Sequence, residues 1–135
     1  MLGFIRVARR VALVDLPGYG YAKVARDERA RWAPMVEGYL AERHELALVL
    51  LLVDCRRDPD ESELSFVRWL AERGRPTLLV ATKIDKLTRG QRLPRLGAIA
   101  RSLGRDLADI VGFSSVTAEG KKELWSRIDM ASRQI

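Results

Sequence analysis

Apolar runs alternate with amphipathic stretches along this chain, the sequence sign of a layered α/β fold. Leu2 to Val7 and Val11 to Asp15 read as two strands joined by a tight turn at Ala8-Arg9-Arg10. A link that short makes the pair antiparallel. Leu46 to Asp54 and Thr77 to Thr82 are near-continuous runs of Leu and Val, as expected of central parallel strands covered on both faces. Asp109 to Phe113 is a shorter candidate for a last strand.

Four helices are expected between these runs. The first covers roughly Asp27 to Arg43, with Trp32, Val36, Tyr39 and Leu40 along one side and Pro34 as a late start or a kink. The second is punctuated by Asp58 as N-cap, Pro59 at the first helical position, Glu61 closing a capping box and Gly74 just past the end. Its apolar side is Leu64, Val67, Leu70 and Ala71. The third runs from about Thr88 to Leu103, with Leu93, Leu96, Ala100 and Leu103 on one stripe, Gly104 as stop and Pro94 as an interruption. The fourth, about Gly120 to Arg133, carries Leu124, Trp125, Ile128 and Ala131. No linker, repeat or low-complexity tract divides the 135 residues, which read as one domain.

Composition narrows the class. Apolar residues at 47% and charged ones at 31% fit a globular protein in water, and the longest apolar run, Leu46 to Val53, is too short to span a bilayer. The amino end has no long apolar stretch of the secretory kind, and the one cysteine, Cys55, has no partner for an internal disulfide. Both agree with a cytoplasmic address. Cys55 reads as structural, since no His or second Cys lies near it in sequence. The net charge of +6, from 24 basic side chains spread through the chain, suits a polyanionic partner such as RNA, or equally a solvated arginine face. His44 reads as a solvated cap, and Trp32, Trp69 and Trp125 as packing anchors.

Chemistry is concentrated in short words that close the predicted strands. Asp15-Leu16-Pro17-Gly18 follows the second strand. In nucleotide-hydrolysing α/β proteins such an Asp holds Mg²⁺ through a water, and the bare backbone N–H of the glycine approaches a terminal phosphate. Thr82-Lys83-Ile84-Asp85 ends another strand. Its carboxylate can accept two hydrogen bonds from the N1–H and amine of guanine, a donor pair that adenine lacks, while Lys83 lays its stem along the base. The same word also reads as a helix-capping Asp after a strand, with Lys83 in solvent. Phe113-Ser114-Ser115 closes the last strand, with Ser114 29 residues beyond Asp85, and is either a loop whose N–H groups meet the guanine O6 or an ordinary turn. The order of the three, each at a strand end where open α/β sheets bind ligands, says more than any one of them. No G-x-x-x-x-G-K-[ST] phosphate loop occurs; Gly120-Lys121-Lys122 lacks the upstream glycine and the Ser/Thr.

On these residues the chain resembles the EngB-type bacterial GTPases, also called YihA or YsxC. Asp15 to Val24 is similar to that family's third GTPase motif and following switch, with Tyr19-Gly20-Tyr21-Ala22-Lys23 the most family-specific part. Thr82 to Asp85 matches its base-specificity motif and Phe113-Ser114-Ser115 its final guanine loop; Asp54 to Pro59 and Glu123-Leu124-Trp125 are similar as well. The resemblance implies a three-layer P-loop GTPase (Ras-like) fold with a mostly parallel sheet, met here as a single partial domain. The first strand, phosphate loop, first helix and first switch would all precede Met1.

It further implies GTP and GDP as ligands and Mg²⁺ as cofactor, with Asp15 holding the metal through water and its direct ligands absent. The implied role lies in assembly of the large ribosomal subunit, on a precursor particle or its rRNA, with a traditional link to septum formation at cell division. The complete form would be a monomer without membrane attachment that hydrolyses GTP; this chain, lacking the phosphate loop, would bind nucleotide poorly and be inactive. Tyr19 stands where Ras-like enzymes carry a water-positioning Gln, so hydrolysis would need another orienting device. Two other readings stay open: a non-catalytic basic module that docks on RNA through its arginines, and a fragment without function.

Overall fold

The computed structural model describes residues 3–7, 11–15, 34, 38 and 46–133. Two compact units divide the chain, Met1–Leu46 and Ala47–Ile135.

In the first unit, β1 (Gly3–Val7) and β2 (Val11–Asp15) form an antiparallel two-stranded sheet, paired from Gly3 with Asp15 to Val7 with Val11. The three-residue link dictates that arrangement, as the sequence predicts. Of the expected first helix only Pro34 and Gly38 are described, and both are helical. Trp32 and His44 lie outside the described residues.

The second unit is built on a parallel three-stranded sheet in the order β3 (Val49–Asp54), β4 (Thr77–Thr82), β5 (Ile110–Gly112). Three helices complete it: α1 (Glu61–Glu72), α2 (Arg89–Ser102) and α3 (Lys121–Ser132). Strand β4 lies between two neighbours and buries Leu78 to Ala81 without a break, as a covered parallel strand must. The expectation of two covered faces fails for β3, an edge strand among the described residues. Its residues alternate, with Val49, Leu51 and Val53 buried and Leu52 56% exposed. The core is closed by Phe66, Val67 and Leu70 from α1, Ile99, Ala100 and Leu103 from the α2 side, and Ile128 from α3.

Helix ends obey local chemistry, with one correction. The N-cap of α1 is Asp60, not Asp58: its carboxylate accepts from the Glu63 N–H at 2.9 Å, and Glu63 accepts from the Asp60 N–H at 3.0 Å. Asp58 is engaged instead by Arg95 at 2.8 Å. Both α1 and α2 end in Schellman turns. Gly74 (φ 67°) and Gly104 (φ 73°) take the left-handed position, and the N–H groups of Arg75 and Arg105 reach back to the carbonyls of Leu70 and Ala100. Helix α2 begins at Thr88 with Gln91 closing its capping box and runs through Pro94. Gly90, whose carbonyl Pro94 leaves without an N–H, is exposed to water along with Pro94 itself. Leu93, expected on the apolar stripe, is 61% exposed, because Ile99 rather than Leu93 completes the buried face. Trp125, expected to anchor packing, is also exposed, while Trp69 is half-buried and stacks on Phe66 at 6.4 Å.

Candidate functional site

Strand β4 ends at Thr82 and the chain turns at once. Lys83 takes the left-handed conformation (φ 60°, ψ 35°), uncommon for a residue with a Cβ, and Ile84–Lys86 forms one 3₁₀ turn. Neighbouring strands hold that turn. The Cys55 N–H donates to the Thr82 carbonyl at 3.0 Å, the Cys55 thiol donates to the Lys83 carbonyl at 3.2 Å, and the Ile84 N–H donates to the Phe113 carbonyl at 3.1 Å. The parallel register sets Asp54 level with Thr82, which puts Cys55 within reach of the turn. Cys55 is fully buried, and burial pushes its thiol above the ordinary value, so it acts as a neutral donor.

The loop after β5 meets the same turn. Ser114 is fully buried; its hydroxyl donates to Asp85 Oδ1 at 2.7 Å and accepts from the N–H groups of Val116 and Thr117, both at 3.1 Å. One donor and two acceptor positions are all that a hydroxyl has, so it is fully used. The hydrogen bond from Ser114 holds the Asp85 carboxyl below the usual carboxylate range. The loop closes at Gly120 (φ 81°), where a Cβ would stand 1.9 Å from the Gly112 carbonyl oxygen. Only glycine fits there. Arg92 of α2 ties the two loops together, pairing with Glu119 and donating to the Leu87 carbonyl at 3.3 Å.

A half-exposed carboxylate fixed in this way keeps acceptor positions for a ligand, since Ser114 occupies one of about four. Its best partner is a flat group with two adjacent N–H donors.

No protein-family model matches the chain. A "Probable GTP-binding protein EngB" of Shouchella clausii is 46% identical over 128 residues, which are 94% of this chain and 65% of that protein. The crystal structure of a probable GTP-binding protein EngB superimposes with a TM-score of 0.81 over the whole chain and 85% of its own, at 17% identity. This chain is of the EngB type. Its fold is that of the P-loop GTPases, to which Era is a further likeness. The structure of Era with MgGDPNP and nucleotides 1506–1542 of 16S ribosomal RNA matches with a TM-score of 0.66 and 21% identity, over 94% of this chain and 42% of Era. The chain thus spans about two thirds of the length of the EngB relative it matches.

Within this EngB-type chain, the structure brings Thr82, Lys83, Ile84 and Asp85 together with Phe113 and Ser114; Ser115 is exposed beside them. Asp15 closes β2 in the first unit. Leu16, Pro17, Gly18 and the expected switch Tyr19, Gly20, Tyr21, Ala22 and Lys23 lie outside the described residues. Among the described residues no three His, Cys, Asp or Glu side chains gather as a metal-holding group. No helix among them is long and apolar enough to cross a membrane.

One cluster escapes sequence reasoning. Asp54, at the end of β3, accepts from Arg56 through both oxygens at 3.1 and 2.9 Å and has the Lys83 ammonium 3.4 Å away. The Arg56 guanidinium holds the Asp54 carboxyl far below the usual range. Asp54 therefore holds the Lys83 ammonium at the end of β3. The cluster's cause is the register that sets Asp54 level with Thr82, which no local sequence signal gives.

Proposed function

We propose that this chain carries the guanine-reading part of a GTPase domain, a single G domain that in complete form binds GTP·Mg²⁺, hydrolyses GTP and acts in the cytoplasm as a monomer on a precursor of the large ribosomal subunit. The traditional link to septum formation belongs to the same reading. Asp85 takes the N1–H and amine of guanine, Lys83 lies along the base, and the loop at Phe113-Ser114-Ser115 faces the guanine O6. Asp15 meets the metal through water, Gly18 the terminal phosphate, and Tyr19 to Lys23 move with nucleotide state.

The observation that carries this reading is the 2.7 Å bond from the buried Ser114 hydroxyl to Asp85. It fixes a half-exposed carboxylate at the carboxyl ends of parallel strands, where such sheets bind ligands. The relatives' names support GTP as the ligand, and Era, solved with ribosomal RNA, supports RNA as the larger partner. Because the 135 residues contain no phosphate loop, they bind nucleotide weakly by themselves.

The test is Asp85→Asn, made in a longer version that bears a G-x-x-x-x-G-K-[ST] loop and titrated with fluorescent guanosine and xanthosine diphosphates. The substitution turns an acceptor into a donor. Guanosine affinity should fall about a hundredfold or more and xanthosine should become the preferred base. An unchanged preference overturns the reading.

A further inference from the structure

The chain holds 24 basic and 18 acidic side chains, unevenly distributed. Residues 86–105 contain Lys86, Arg89, Arg92, Arg95, Arg101 and Arg105 and no carboxylate. The other 115 residues balance overall, 18 against 18, although residues 1–31 hold seven basic side chains and three acidic ones; 86–105 is the stretch whose cations have no acidic side chain among them. It is the end of the 3₁₀ turn, the whole of α2 and the Schellman turn that follows.

Two of the six cations are spent inside the fold: Arg92 pairs with Glu119, and Arg95 binds Asp58 and the Cys55 carbonyl. Lys86, Arg89 and Arg101 are exposed and Arg105 is half-buried, and none of these four has a carboxylate partner among the described residues. Arg89 and Arg101 stand twelve residues apart, about 18 Å along the helix. They also stand about a third of a turn apart around it, so the free cations are spread along and around the helix, each able to meet a phosphate and release a counterion. An acidic protein would want an apolar centre in the interface. Leu93 is the one large apolar side chain exposed on α2, so the surface is polar and positive, as nucleic-acid interfaces are.

We propose that the exposed cations on and at the two ends of α2, Lys86, Arg89, Arg101 and Arg105, are the groups with which this protein holds the phosphate backbone of RNA. This rests on the RNA arm of the function proposed above and adds the place. The same helix supports the guanine site from its inner side, where Arg92 and Arg95 brace the loops around Asp85.

The test uses the 135-residue chain and a short fluorescein-labelled RNA hairpin, read by anisotropy over a series of salt concentrations. The triple variant Arg89→Ala, Arg101→Ala, Arg105→Ala should lose about tenfold or more in affinity near physiological salt and flatten the slope of log affinity against log salt by about 3. A charge-matched control, Arg68→Ala, Lys121→Ala, Lys122→Ala, should move the slope by less than about 1. Equal losses in the two triples overturn the proposal and leave RNA binding standing; no salt-dependent RNA binding by the parent overturns the RNA arm of the function with it. Binding of duplex DNA or of polyglutamate as tight as that of RNA overturns the choice of partner. Ultraviolet cross-linking in cells that express the chain reads the same surface without purification. Adducts should map to peptides from residues 86–105, and adducts found elsewhere overturn the assignment.

Discussion

At the scale of single residues, Ser114 is the hinge of the candidate site. Its hydroxyl orients Asp85 and satisfies two backbone N–H groups, so Ser114→Ala removes three hydrogen bonds with one atom. The expected loss of stability is about 1–3 kcal/mol, measured by denaturant unfolding. The Asp85 titration should move up toward the ordinary carboxylate value, since the bond that holds it down is gone. The sign for pH follows from the same depression. A carboxyl whose folded value lies below its unfolded one stabilises fully above the unfolded value and loses that stabilisation as pH falls through the folded one. The tie between the two loops should therefore persist through mildly acidic pH and fail below the carboxylate range, and carbon-13 titration of Asp85 in the parent and variant checks both statements. Asp85 and Ser114 are legible in the sequence because each ends a readable strand. Cys55 and Asp54 are not, because their work depends on cross-strand register. The thiol reaches Lys83 only once β3 and β4 are aligned, and nothing local to Cys55 says so.

At the scale of elements, the glycines divide into those the backbone requires and those it tolerates. Gly120 combines a left-handed φ with a carbonyl oxygen 1.9 Å from where a Cβ would stand, so Gly120→Ala must displace β5 or unwind the start of α3. A cost of about 2–4 kcal/mol is expected. Gly97 lies inside α2 with only the Arg101 guanidinium near its Cβ position, 3.0 Å away, and that group ends a mobile side chain. Gly97→Ala should therefore stabilise by about 0.5–1 kcal/mol through helix propensity. Thermal unfolding of the two variants beside the parent decides both signs. The helix stops at Gly74 and Gly104 are legible because a Schellman turn needs little beyond the residue itself. The start of α1 is not: the Asp58-Pro59-Glu61 pattern points to Asp58, whereas Asp60 caps the helix and Asp58 is bound by Arg95, which arrives from α2. Leu93 misleads for a related reason. Helical period places it at the rim of the stripe, and only the path of the sheet determines that Ile99 lies inside and Leu93 outside.

At the scale of the whole molecule, the fold class is legible from alternation alone, whereas which strand lies at an edge is not, since strand order is a property of the assembled sheet. Strand β3 is the case that matters. It reads Val-Leu-Leu-Leu-Val-Asp, its pairing runs to β4 on one side, and among the described residues its other side has no strand. Five apolar residues followed by one terminal charge, with Leu52 exposed, make an aggregation-prone edge, because among the described residues no strand pairs the outer N–H and C=O groups beside these apolar side chains. The chain should accordingly self-associate as its concentration rises, with light scattering growing before any loss of helix signal on heating. Leu52→Lys places a charge on the exposed face of that edge without touching the buried alternation of Val49, Leu51 and Val53, and should suppress the association while leaving the melting temperature nearly unchanged. A parent chain that stays monomeric by light scattering and unfolds cooperatively at high concentration would show instead that this edge is covered. A variant that associates as strongly as the parent would place the contact on another surface of the molecule.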